Sequence, residues 1–500
     1  MYFIHIGSEM APVAKVGGLG DVILGLSREL SWKGHDVDII IPKYDCMDSD
    51  KVRDLSIHMR DLMSFYQGEW YSNTIWMGWV ENLKVYFVEP HHPRHFFDRG
   101  CFYGCEDDIE RYLYFSRTAM EFLYKKQLNP DILHIHDWQT AAIPLLYREM
   151  YNQLGYSKPK LIFTIHNIEY QGRCSPSDLL SIGLKEELDL HPNLKDPIDP
   201  KLVNLMKGAI NYSDYITTVS PTYSKEVLTQ EGGKGLEKVL KSHSHKFKGV
   251  LNGIDYSYWN PELDPYLPAH FSPREEPENK KDRNTLDRKG FLKMALRHRV
   301  GLAEGHKPII GCVTRLVPQK GIELIKAALE FTLKHNGQFV LLGSSPIPEI
   351  TTEFLEIKHR YDDDPNIQLI LHHEEELAHI IYAGTDIFIV PSIFEPCGLT
   401  QMIALKYGSI PVVRTTGGLA DTIFDIDNDP EAETIGNGFT FSEPKPKEIE
   451  NALSRAFEAW FHDQDRWRHL MIKGMNIDHS WDKPANVYLG IYNQLLEAKP

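Results

Sequence analysis

The sequence predicts an α/β protein built from two doubly wound halves. Three observations carry this. The chain has 500 residues, too many for one ordinary core. Short apolar runs alternate with helical patterns in both halves, as parallel sheets require. A polar stretch separates the two series.

The first element is the apolar run Tyr2 to Ile6. A glycine-rich loop follows. Leu19, Val22, Ile23, Leu26 and Leu30 then recur on one helical face, Gly34 fits the stop, and Val37 to Ile41 makes the next strand. Further strand-like runs are Val85–Val88, Ile132–Ile135, Leu161–Ile165, Tyr215–Val219 and Lys248–Leu251. Asp264 to Arg288 is rich in Pro, Glu, Lys and Asp and reads as an exposed connection. The second series is Ile309–Val313, Phe339–Leu342, Ile367–Leu371, Ile387–Val390 and Ile410–Val413. Trp481 to Leu496 reads as a last amphipathic helix. The expected domains are 1–262 and 263–480, with 481–500 packing back on the first. No close repeat relates the halves; what repeats is architecture. In such sheets ligands sit beyond the carboxyl ends of strands, so a cleft between the domains is the expected site.

Apolar content of 42% and charged content of 25% suit a folded, soluble protein. No run approaches the about 20 apolar residues needed to span a bilayer. MYFIHIGSEM lacks the parts of a secretion signal and reads as a first buried strand. A net charge of -16 disfavours nucleic acid and anionic membranes as partners. Six cysteines are too few for a disulfide scaffold, and a reducing cytoplasm is the plainer reading.

Four loops carry candidate chemistry. KVGGLGD, Lys15 to Asp21, joins the first strand to its helix. Gly17 and Gly18 there let backbone approach a ligand, a helix N-terminus suits an anion, and Lys15 adds a point charge. The spacing is neither that of a dinucleotide fingerprint nor that of a P-loop. TRLVPQKG, Thr314 to Gly321, sets Arg315 and Lys320 about a turn. Such cations suit phosphate oxygens and the charge that builds on a leaving diphosphate. They read equally as solvated loop cations. FEPCGLTQMIAL, Phe394 to Leu405, offers Glu395, Cys397 and Gly398; the glutamate suits sugar hydroxyls or a helix N-terminus. Cys397 can be read as a nucleophile beside a helix start, and more plainly as a packing or donor-lining residue. TTGGLADTI, Thr415 to Ile423, offers further backbone N–H groups at a helix start.

Metal chemistry finds weaker support. His91, His92 and His95 lie near Cys101 and Cys105, and His134 and His136 share a strand face, but neither set has paired zinc spacing. Asp425 and Asp427 read as an exposed turn rather than a magnesium site.

Together with HDWQTA at 136–141, TIHNIEYQG at 164–172 and NGIDYSYWNP at 252–261, these loops resemble the bacterial glycogen synthases and plant starch synthases through nearly the whole chain. The resemblance implies a GT-B fold, with an acceptor-side first domain and a nucleotide-sugar-side second. It implies a retaining ADP-glucose:1,4-α-D-glucan 4-α-D-glucosyltransferase that elongates glycogen, with ADP-glucose as donor and an α-1,4-glucan as acceptor. No cofactor and no metal are implied. UDP-glucose as donor, another GT-B acceptor, and a non-catalytic glucan-binding protein on the same fold are the alternatives. Residue by residue, His166, Glu395, Asp137, Arg315 and Lys320 resemble the family's catalytic set. Lys15, Gly17, Gly18, Asp21, Asn252, Cys397, Gly398, Thr416, Gly417, Gly418 and Leu419 resemble its substrate-binding positions. Glu169 stands where many members carry a small residue.

Overall fold

A computed structural model of the chain describes residues 1–185, 191–273, 285–427 and 436–497, with side chains from 288 onward in the third stretch. It divides into two units: Met1–Gly253 with Trp481–Pro500, and Ile254–Ser480.

The first unit's main sheet contains β1 (Tyr2–Ile6), β2 (Asp36–Pro42), β3 (Arg53–Tyr66), β4 (Glu69–Val80), β5 (Leu83–Pro90), β6 (Ile132–His136) and β7 (Lys160–Ile165). A short ribbon, β8 (Arg173–Cys174) with β9 (Val203–Asn204), precedes β10 (Tyr215–Thr218) and β11 (Phe247–Gly249). The order is β11-β10-β7-β6-β1-β2-β5-β4-β3. Pairing is parallel from β11 to β5, and β4 and β3 add an antiparallel hairpin. The apolar runs of the sequence are the parallel strands, buried on both faces. The hairpin is unannounced in the sequence. Its first strand has only three buried residues of fourteen, and register shifts interrupt its alternation.

Helix α1 (Gly18–Trp32) buries Leu19, Val22, Ile23, Leu26 and Leu30, the face its spacing predicts. A Cβ on Gly25 would stand 2.0 Å from Nε1 of Trp481, so α1 runs directly beneath that indole. The last helix, Asp482–Glu497, seals the same face: Tyr488 and Tyr492 are fully buried, and Tyr492 packs on Phe3 at 4.9 Å.

The second unit's sheet contains β12 (Ile309–Val313), β13 (Gln338–Leu342), β14 (Ile367–Ile370), β15 (Ile387–Val390), β16 (Ile410–Arg414) and β17 (Phe439–Phe441). Its order is β14-β13-β12-β15-β16-β17, parallel throughout. Both sheets reverse direction of growth beside their first strand, at β1/β6 and at β12/β15. These are the topological switch points where such sheets bind ligands.

Two expectations need correction. The first domain was expected to run to residue 262, but 254–262 packs within the second unit. The N–H of Ile254 donates to the carbonyl of His479 at 2.8 Å, and Trp259 stacks on His379 at 4.2 Å. The stretch beginning at Asp264 was expected to be exposed. Asp264 is instead buried and accepts from Tyr407 Oη at 2.5 Å and pairs with His379 Nδ1 at 2.6 Å. Leu267, Ala269 and Phe271 are buried too, and Lys289 donates to the carbonyls of Ala383, Tyr407 and Thr385. Polar composition here is satisfied inside the protein rather than by water. Positions 274–284 lie outside the described residues.

Candidate active site

In the first unit, the loops after β1, β6 and β7 leave neighbouring strands at one sheet edge. After β1 the chain turns through Glu9, which is buried. Its carboxylate accepts the N–H groups of Val16 at 2.8 Å and Gly17 at 2.9 Å, and the hydroxyl of Tyr103 at 2.6 Å. An internal anion thus occupies part of the donor set that the sequence reserved for a ligand. Glu9 is the residue that sequence reasoning missed; it lies three residues beyond β1, and no local pattern marks it. A Cβ on Gly17 would meet nothing within 4 Å, so the face above the turn is open. Gly18 opens α1, and Lys15 and Asp21 form an ion pair at 2.9 Å across the turn.

Asp137 follows β6 with a positive φ of 59°, a costly conformation for a side chain with a Cβ. Its Oδ1 accepts the N–H groups of His166 at 2.7 Å and Asn167 at 3.3 Å, tying the β6 loop to the β7 loop. Burial pushes the Asp137 carboxyl up to about 7, against those two N–H bonds and with help from the charge of Glu9.

His166 begins a row of imidazoles that runs into the core. Its Nε2 lies 3.0 Å from His136 Nδ1, and His136 Nε2 lies 3.1 Å from His5 Nδ1. His134 stacks on His136 at 4.3 Å, lies tilted against His5 at 4.9 Å, and bonds Tyr492 at 2.9 Å and Thr164 at 2.6 Å. Burial lowers all four rings, His5 and His166 to about 3, so they are neutral at ordinary pH. Asn252, after β11, is buried, and its Oδ1 has no hydrogen-bond partner among the described residues.

In the second unit, Lys320 follows β12 and Glu395 follows β15. They form an ion pair at 2.5 Å, and Ser392 Oγ donates to the same carboxylate oxygen at 2.7 Å. Arg315 is exposed, and its guanidinium has no hydrogen-bond or ion-pair partner among the described residues. The loop after β16 lies against the one after β15. A Cβ on Gly417 would stand 1.9 Å from the carbonyl of Glu395, and one on Gly418 2.0 Å from that of Cys397. Glycine is therefore needed at both positions for backbone contact. Cys397 is buried, and Gly398, at φ 72°, makes the turn beside it.

The backbone donors expected around Thr416 are largely spent inside the fold. Gly418 N–H donates to Glu395 at 3.1 Å, and Leu419 N–H to Thr416 at 3.1 Å. The side chain of Leu419 is fully buried, so any ligand contact of this residue falls to its backbone. Thr416 is buried as well. Asp425 is not on an exposed turn: it is buried and bonded twice to Arg455 at 2.8 Å, while Asp427 pairs with Arg455 and Arg466. His91 bonds Thr74, and His92 stacks on Phe96. Among the described residues, His5, His134 and His136 alone bring three metal-type ligands within 4.8 Å of one another, and all of their nitrogens but His5 Nε2 already bond each other, His166, Tyr492 or Thr164.

Within each unit, then, the fold gathers the expected residues: Lys15, Gly17, Gly18 and Asp21 on one loop with Asp137 and His166 on the next strands, and Lys320, Glu395, Cys397, Gly417 and Gly418 about β12, β15 and β16. Among the described residues no helix is long and apolar enough to cross a membrane.

Known proteins match this chain along its length. The starch synthase catalytic domain family matches residues 3–242, and the glycosyl transferases group 1 family matches 296–470. A glycogen synthase of Protochlamydia amoebophila (strain UWE25) is 63% identical over 500 residues, covering all of both chains. The probable starch synthase 4, chloroplastic/amyloplastic, of Arabidopsis thaliana is 50% identical over 497 residues, 99% of this chain and 47% of that one. Among solved structures, the catalytic domain of starch synthase IV from Arabidopsis thaliana, bound to ADP and acarbose, superposes with a TM-score of 0.94 at 49% identity, covering 99% of each chain.

Proposed function

Because this chain belongs to the glycogen and starch synthase family, we propose that it transfers glucose from ADP-glucose to the non-reducing-end 4-hydroxyl of an α-1,4-glucan, with retention of anomeric configuration. The observation that carries this reading is the cation pair beyond β12: exposed, unpartnered Arg315 and, five residues on, Lys320 held by Glu395. It stands on a chain that is 49% identical to a protein solved with ADP.

In this reading Arg315 and Lys320 take the diphosphate oxygens. As the bond from glucose C1 to phosphate breaks, the electron pair leaves with the phosphate, and fixed cations stabilise that charge more than they stabilise the bound donor. Glu395 orients Lys320 through their ion pair and accepts a sugar hydroxyl. The 4-hydroxyl oxygen of the glucan forms the new bond to C1, and its proton passes to the departing phosphate oxygen on the same face. No side-chain nucleophile enters. Support comes from the two candidate carboxylates: Glu395 is engaged by Lys320 and Ser392, and Asp137 by two backbone N–H groups. His166 contacts the transferred glucose, and the open face above Gly17 receives donor beside Lys15. Cys397 and Gly398 shape the donor pocket as backbone, and Asn252 offers its unpartnered Oδ1 to substrate. The reaction takes place in the cytoplasm, without metal or cofactor.

The test is glucose transfer to glycogen with ADP-glucose and UDP-glucose run side by side. Transfer from ADP-glucose is expected, and it should fall about 10²–10³-fold in kcat/KM for Lys320→Ala and for Arg315→Ala. Preference for UDP-glucose revises the donor; no transfer from either overturns the reading.

A further inference from the structure

The row His166–His136–His5 has a property that follows from counting. Each inter-ring contact joins one nitrogen of each neighbour, at 3.0 and 3.1 Å. Each contact needs one proton, between its two nitrogens. Three neutral rings carry three protons, so after both contacts are served one proton remains. It sits at one end of the row: on His5 Nε2 or on His166 Nδ1. Every ring then shares the same tautomer, set by which end holds that proton.

The two ends differ sharply. His5 is fully buried, and its Nε2 has no hydrogen-bond partner among the described residues. An N–H stranded there would be a buried donor with nothing to accept it, the kind of orphan that folded proteins rarely contain; a bare lone pair is more easily tolerated. At the other end His166 is only partly buried, and its Nδ1 has no partner among the described residues. A proton there is available to water or ligand.

We propose that His5 and His136 are positioning residues that hold the proton of His166 on Nδ1, so that this ring meets the substrate as a hydrogen-bond donor and not as a base. The tautomer is independent of the transfer reading; only the identity of the oxygen that accepts the bond rests on it. The same logic assigns His5 Nδ1–H donating to His136 Nε2, and His136 Nδ1–H donating to His166 Nε2. This is the reverse of the tautomer that a solvated histidine side chain favours. The depressed basicity of all the rings keeps a fourth proton out of the row at ordinary pH. His134 stands beside the row, not in it: Tyr492 and Thr164 engage both its nitrogens.

Nitrogen NMR on the full chain with labelled histidine, free of substrate and assigned with His166→Gln, reads the tautomer directly. The expected spectrum has the proton-bearing nitrogen at Nδ1 in His5, His136 and His166 alike. A proton-bearing Nε2 on His166 overturns the proposal, whether or not the protein transfers glucose. Two variants of nearly equal shape test the consequence. In His136→Asn the amide nitrogen can replace Nδ1 as donor to His166. In His136→Asp an oxygen stands there and draws the proton of His166 to Nε2. The asparagine variant should keep kcat within about 10-fold of the parent, while the aspartate variant loses about 10²-fold more, with KM moving far less. Equal losses in both would reduce His136 to a packing role and overturn the proposal.

Discussion

Asp137 shows how a single residue trades stability for position. Its carboxyl titrates near 7 in the folded protein against 3.8 for the ordinary group. Between those values the fold holds a proton that the unfolded chain has released. The associated stabilisation is complete below about pH 4 and is lost as pH rises through 7. Asp137→Asn keeps an oxygen for the N–H groups of His166 and Asn167 but removes the half-buried charge. It should therefore melt a few degrees above the parent at pH 8, with the gap narrowing on acidification and closing near pH 4. A variant no more stable than the parent at pH 8 would contradict the buried-charge account. This residue was legible in HDWQTA only as a candidate, because burial and its left-handed backbone are tertiary facts. Glu9 was not legible at all. Its partners, Val16, Gly17 and Tyr103, include one 94 positions away, and no local spacing encodes that. Glu9→Ala frees two N–H groups and removes the brace under the KVGGLGD turn; donor KM should rise about 10-fold in the same transfer assay, with a smaller effect on kcat.

At the scale of elements, the parallel strands were legible because burial on both faces makes them continuous apolar runs, from Phe3–Ile6 to Ile410–Val413. The hairpin Arg53–Val80 escaped because one face is wet and its register slips. The loops after β15 and β16 were legible as sites, but not the reason for their glycines. Gly417 and Gly418 serve contact between two backbones rather than access for a ligand. Gly418→Ala would drive a Cβ into the Cys397 carbonyl, which has no side-chain freedom to yield. The variant should lose about 2 kcal/mol or more and lower the melting temperature of the second unit, with transfer falling in parallel. Unchanged melting would show that the two loops part easily. Trp481, 3% exposed over Gly25, closes α1 against the last helix. Trp481→Ala should cost about 3–5 kcal/mol in the first unit, read by chemical denaturation.

At the scale of the whole molecule, two α/β units were legible from length and alternation, while the boundary was not. Residues 254–262 carry no run of Pro, Gly or charge to mark a change of unit; their allegiance is set by Trp259 on His379 and Ile254 on His479. Residues 254–480 hold a complete six-stranded sheet and should fold when produced alone, with one cooperative melting transition. Residues 1–253 alone should melt well below the same unit joined by a short linker to 481–497, since Phe3 and His134 would lose Tyr492. Equal melting temperatures would show the last helix to be an ornament. The order in which a ribosome delivers these pieces gives that helix another meaning. The body of the first unit, 1–253, is made first and waits through synthesis of the whole insert for its closing segment, so the host domain completes last. A chain released at Ser480 would carry a finished guest and an open host with aromatic surface bare, the species for which chaperones compete with aggregation.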